Sequence, residues 1–154
     1  MIDNFSECSR YDNDNNVTYA STEFIHRVGE SVPGPDLPNP LRNHVATQLN
    51  ELVTIIIGGW TPHTDYSDQT WYYNHKSKLF IKGPRLPLGR QGHAVGKLTD
   101  SITKEEMIVV TGGFNGGRIL KTTEMLRYGE WEQGRLETNI FNREQSIEQS
   151  KAPR

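Results

Sequence analysis

Two histidines, His44 and His93, and two arginines, Arg42 and Arg90, are the residues whose types and recurrence first invite a chemical reading. Imidazoles are usual metal ligands, and guanidiniums are usual anion clamps. The histidines lie 49 residues apart in similar surroundings, so one structural role used twice explains them more simply than a shared metal. The arginines are matched in the same way and read as hydrogen-bonding struts between strands. His63, Asp65 and Asp68 stand near Trp60 and Tyr66, but their spacing fits neither a calcium loop nor a zinc motif. The equivalent stretch, residues 115–121, holds Gly116, Gly117 and Arg118 without the Lys-Ser/Thr of a phosphate loop. Cys8 has no histidine close in sequence, and no Gly-x-Ser-x-Gly occurs. No catalytic residue, metal site or cofactor is expected, and the chain reads as a non-enzyme.

Bulk properties narrow the field further. Lys plus Arg number 17 against 19 Asp plus Glu, a formal charge of −2 that offers no broad cationic surface for nucleic acid. With one cysteine, no intrachain disulfide forms. The first ten residues lack a basic stretch followed by an apolar run, so no signal peptide is expected. The longest apolar run, around Ile55, Ile56 and Ile57, is far too short to cross a bilayer. The two Asn-x-Ser/Thr triplets, at Asn4 and Asn16, are then read as chance. A cytoplasmic protein with neither nucleic acid nor membrane as partner is the expectation.

The elements that position these residues announce themselves as a repeat. Gly34-Pro35-Asp36-Leu37-Pro38 recurs as Gly83-Pro84-Arg85-Leu86-Pro87, again 49 residues on. A β-branched run ending in paired glycines, Val53 to Gly58-Gly59-Trp60, recurs as Met107 to Gly112-Gly113-Phe114. A threonine-led stretch appears at Thr22, Thr70 and Thr123. Several independent features sharing one period near 50 mark a repeat architecture. Strands are expected over residues 44–49, 53–57, 70–73 and 79–81, then 93–98, 107–111, 123–128 and 131–133. The run of three isoleucines does not alternate, as expected when both faces of a strand are covered. The glycine pairs end that strand where a positive φ is needed, and the prolines belong between units because they cannot donate to a ladder.

These residues resemble the kelch repeat family: an Arg-x-x-His opening, a hydrophobic strand ending in Gly-Gly, an aromatic third strand and a tryptophan-led fourth. The resemblance covers about 110 residues, from Thr22 to Gly134. Phe80 stands where the family usually has tryptophan, whereas Trp131 keeps it, and residues 142–154 are polar and outside the pattern. The resemblance implies an all-β, kelch-type β-propeller, incomplete, with about two full four-stranded blades and a partial one. The expected division is a flexible or partial-blade N-terminus over 1–20, a partial blade over 21–38, blades over 39–87 and 88–134, and a disordered tail over 135–154. The partial unit is expected to contribute only outer strands.

Closed propellers generally use at least four blades, and about 50 residues per blade gives three here. The expectation is therefore a piece of a longer chain, or else copies that associate through unclosed blade edges. The resemblance implies a protein-interaction module, a binding scaffold or substrate adaptor, with protein partners. Its candidate contact residues are Trp60, Tyr66, Phe114 and Arg118, set on loops beyond the glycine pairs. The alternatives are a carbohydrate-active or oxidase-like propeller domain, and a truncated product without independent function.

Overall fold

A computed structural model describes residues 4–6, 11–25, 29–127 and 129–134, all of them strand, turn or irregular backbone without helix. Among the described residues no helix is long and apolar enough to cross a membrane. Cys8 and the tail over 135–154 lie outside the described residues.

Among the described residues, three antiparallel sheets carry the fold. The middle one is a meander of β6 (Val45–Asn50), β7 (Val53–Ile57), β10 (Thr70–Asn74) and β11 (Leu79–Lys82). The next repeats it with β12 (Ala94–Thr99), β13 (Glu106–Thr111), β16 (Thr123–Arg127) and β17 (Glu130–Gly134). These eight strands fall within about a residue or two of their expected places, which is the ordinary uncertainty of strand ends. The N-terminal sheet has the order β1 (Asn4–Ser6), β4 (Glu23–Ile25), β5 (Ser31–Pro33). It reaches further back than the two outer strands read from sequence, because Asn4, Phe5 and Ser6 pair with Ile25, Phe24 and Glu23. A three-residue strand without Gly-Gly behind it leaves no repeat signature to read.

Each sheet is interrupted by a short two-stranded ribbon: β2 (Tyr11–Asp12) with β3 (Val17–Thr18), β8 (Trp60–Thr61) with β9 (Asp65–Tyr66), and β14 (Phe114–Asn115) with β15 (Arg118–Ile119). The first ribbon falls within the stretch over 1–20 expected to be a flexible or partial-blade N-terminus. The Asp12 carboxylate ties its turn by accepting from the backbone N–H groups of Asp14 and Asn15.

The isoleucine run fills both faces of β7. Ile55 and Ile57 pack with Ile108, Val110 and Leu126 of the C-terminal sheet, while Ile56 packs with Trp71, Tyr73, Leu37 and Leu41 toward the N-terminal sheet. Leu86 and Leu37, the leucines of the two Gly-Pro-x-Leu-Pro segments, each seal one of these two cores. Burying a leucine or isoleucine side chain is worth roughly 1.5–3 kcal/mol, so the repeated linker leucine joins neighbouring sheets as well as connecting them. Trp131 packs against the first core and Phe80 against the second.

Candidate functional site

The glycine pairs close their strands as read, with φ of +62° and +99° at Gly58 and Gly59, and +69° and +95° at Gly112 and Gly113. Space matters as much as torsion. A Cβ on Gly59 would meet the His44 side chain at 2.7 Å, and one on Gly113 would meet that of His93 at 3.0 Å. The two histidines therefore hold equivalent posts beneath the second glycine.

The arginines do not. Arg42 pairs its backbone with Trp60 in both directions, at 2.9 and 2.7 Å, while the residue that pairs so with Phe114 is Gln91, at 3.1 and 2.9 Å. Arg42 thus corresponds to Gln91, and Arg90 corresponds to Leu41. The sequence match of Arg42 with Arg90 was displaced by one residue, which the spacing itself signals: 48 residues separate the arginines and 49 the histidines.

Their chemistry differs accordingly. Arg90 is fully buried and forms an ion pair with Glu124 at 2.9 Å. It also donates to the Gly112 carbonyl at 3.1 Å and to the Thr122 hydroxyl at 3.2 Å. Burial works against its charge, and Glu124 works for it. His93 lies against the same backbone, since a Cβ on Gly58 would touch both the Arg90 carbonyl and the imidazole at 2.8 Å. Burial, reinforced by the Arg90 charge, lowers His93 to about 4 against an opposing pull from the Ile57 backbone. The imidazole is neutral near pH 7 and acts as a packed wedge. Sequence reading missed Glu124; its signal was one carboxylate standing where the preceding repeat has Trp71.

Arg42 instead lies on a surface. Its guanidinium sits 3.8 Å above the Trp60 ring. Trp60 pairs across β8–β9 with Tyr66, and the Tyr66 ring meets Phe114 of the next ribbon edge-on at 5.7 Å. Phe114 pairs with Gln91, whose Oε1 accepts from Asn43 Nδ2 at 3.3 Å, and Asn43 adjoins Arg42. Trp60, Tyr66 and Phe114, picked separately from sequence, thus form one continuous half-buried band across two ribbons. Arg118 extends it at the exposed end of β15, beside Ile119, which is 81% exposed. The band is fixed rather than floating: Asn115 Nδ2 donates to the Gly89 carbonyl at 2.5 Å.

His63 and Asp65 are exposed on the β8–β9 turn, and Asp68 is engaged by Arg85 at 2.8 and 2.9 Å. Among the described residues no three His, Cys, Asp or Glu side chains gather to hold a metal ion.

No family model and no curated protein matches this chain. Among solved structures it is similar to that of YjhT, with a TM-score of 0.59 and 12% sequence identity. The likeness covers 75% of this chain and 45% of that one, so the chain spans less than half of that structure's length. At this identity the comparison speaks to fold alone, and it agrees with an all-β architecture of several antiparallel sheets.

Proposed function

We propose that the chain is a stretch of kelch-type β-propeller, its sheets being successive blades, and that it works as a protein-interaction module of the scaffold or adaptor kind. The cytoplasmic setting belongs to the same proposal. Three features support the fold reading: the 49-residue recurrence, the two meanders with equal strand order, and linker leucines sealing each inter-sheet core. The observation that carries the function is the band of Arg42, Trp60, Tyr66 and Phe114 with exposed Arg118 and Ile119. Tryptophan, tyrosine and arginine dominate binding energy at protein interfaces, and here they are held by strand pairing instead of loose loops.

The test is crosslinking of the purified chain to candidate partners, with Trp60→Ala and Phe114→Ala run in parallel and the partner's affinity then measured by titration calorimetry. The proposal expects a partner whose affinity falls at least tenfold in both variants while their melting curves keep one transition. A partner bound equally by the wild type and both variants would refute this surface. Turnover of an acidic sugar or a copper-dependent oxidation by the same preparation would replace the binding role with an enzymatic one.

A further inference from the structure

Asn115-Gly116 is the single Asn-Gly step in the sequence. The backbone nitrogen after an asparagine can attack its carboxamide, and glycine, which has no Cβ, hinders that attack least. After every other asparagine stands a residue with a side chain, and after Asn39 it is proline, which has no N–H to lose.

The fold leaves the nucleophile accessible. Asn115 and Arg118 close the β14–β15 ribbon, and Gly116 and Gly117 form its turn with φ of +54° and +88°. A positive φ at both central residues is the arrangement that suits a two-residue hairpin. Among the described residues no carbonyl accepts from the Gly116 N–H. Gly116 is exposed, and nothing lies within 4 Å of where its Cβ would be. Two other turn asparagines are held differently. Asn50 Oδ1 accepts from the Leu52 N–H at 2.9 Å, and Asn74 Oδ1 from those of Lys76 and Ser77 at 3.0 and 2.9 Å.

The electrophile is the clamp of the ribbon. Asn115 Nδ2 donates to the Gly89 carbonyl at 2.5 Å. Gly89 lies flat on the first ribbon: a Cβ there would run into the Tyr66 carbonyl, and the adjoining Arg90 N–H donates to Ser67 at 3.1 Å. The carboxamide thus ties the tip of the second ribbon, with Arg118 and Ile119, to a segment seated on the first. It must leave Gly89 before Cγ can be reached, and a ribbon with two residues in each strand opens at small cost.

We propose that Asn115 is a site of spontaneous deamidation that unfastens this ribbon tip. The Gly116 nitrogen loses its proton to base and attacks Asn115 Cγ, closing a five-membered succinimide as the carboxamide nitrogen leaves as ammonia. Water then opens the ring at either carbonyl to give aspartate or isoaspartate. One water is consumed and one ammonia released, with no change of oxidation state. Aspartate sets an acceptor against the Gly89 carbonyl where a donor had stood, and isoaspartate adds a methylene to the main chain. The site does not depend on the protein-interaction reading above.

The experiment incubates the full chain at mildly alkaline pH and follows it by peptide mapping that separates aspartate from isoaspartate. Asn115 is expected to convert at least tenfold faster than Asn50 or Asn74, into both products, at a rate that rises with pH. Gly116→Ala should slow the conversion at least tenfold. Asn115→Gln, which keeps the glycine turn and must close a larger ring, should do likewise. Asn115→Asp reproduces one product. Its Arg118 and Leu120 amides should exchange hydrogen at least tenfold faster than in the wild type, while those of Ile55, Ile56 and Ile57 keep their protection. Conversion at Asn115 no faster than at the two control asparagines, aspartate as the sole product, or unaltered exchange in Asn115→Asp would overturn the proposal.

Discussion

Arg90 and Glu124 meet at 2.9 Å in full burial, at the two positions that Leu41 and Trp71 occupy in the preceding unit within one apolar cluster. One molecule therefore holds both solutions to the same packing problem. Breaking a buried pair from one side strands a charge and costs about 3–5 kcal/mol, whereas exchanging both partners for apolar groups is often neutral or stabilising. Arg90→Leu and Glu124→Leu are each expected to lower stability by roughly that amount. The double variant Arg90→Leu/Glu124→Trp, which copies the preceding unit, should recover most of the loss. Urea unfolding of the four proteins checks this, and a double variant as weak as either single would refute it.

His93 makes stability depend on pH in a defined window. Its proton is held with a pKa near 6.5 in the unfolded chain and about 4 in the folded one, so the unfolded state binds more protons between those values. Stability from this group is fully present above pH 6.5 and is lost as pH falls toward 4. At about 1.4 kcal/mol per unit the loss is on the order of 3 kcal/mol. His93→Gln should start from lower stability at pH 7 and show a flatter decline from pH 6.5 to 5. Parallel slopes in wild type and variant would show that the buried imidazole does not govern the transition.

Much of the fold was legible because its signals repeat. The isoleucine run, the glycine pairs and the Gly-Pro-x-Leu-Pro segments each encode a local demand: two covered faces, a positive φ, a connection without a donor. What escaped was whatever depends on a partner far along the chain. Nothing near Asn4 says that it will pair with Ile25, and nothing near Glu124 says that Arg90 will reach it 34 residues away. The arginine match slipped because residue type was followed, while the histidine spacing carried the true register. The Trp60–Tyr66–Phe114 band was guessed residue by residue, and its continuity needed the cross-strand pairing and the ring contact between ribbons.

Gly58 is expected to tolerate alanine less well than Gly117 does. Both have a positive φ, +62° and +88°, so alanine at either incurs a backbone penalty of about 1–2 kcal/mol. Nothing lies within 4 Å of a Cβ at Gly117, whereas at Gly58 the Arg90 carbonyl and the His93 ring stand at 2.8 Å. Gly58→Ala should therefore cost more than Gly117→Ala by about 1–3 kcal/mol, the usual range for overpacking. Equal urea midpoints for the two variants would mean that torsion alone sets the requirement.

Trp131 holds the Pro84 carbonyl, the counterpart of the Pro35 carbonyl that takes the Thr22 hydroxyl, and competition between Trp131 and Thr70 for it would have a measurable sign. The Pro84 carbonyl takes Trp131 Nε1 at 3.0 Å, while the Thr70 hydroxyl finds no partner among the described residues. In Trp131→Phe the hydroxyl can turn onto Pro84, as Thr22 does onto Pro35, so much of the lost bond is replaced. In Thr70→Val nothing hydrogen-bonded is lost, and removing an unsatisfied buried hydroxyl is expected to be neutral or slightly stabilising. Together the substitutions leave Pro84 without either donor, so the double variant should be weaker than the sum of the singles by about 0.5–1.5 kcal/mol, the worth of one hydrogen bond. A double-mutant cycle by urea unfolding reads this coupling directly. Additive losses would mean that Thr70 stays turned away whatever stands at position 131.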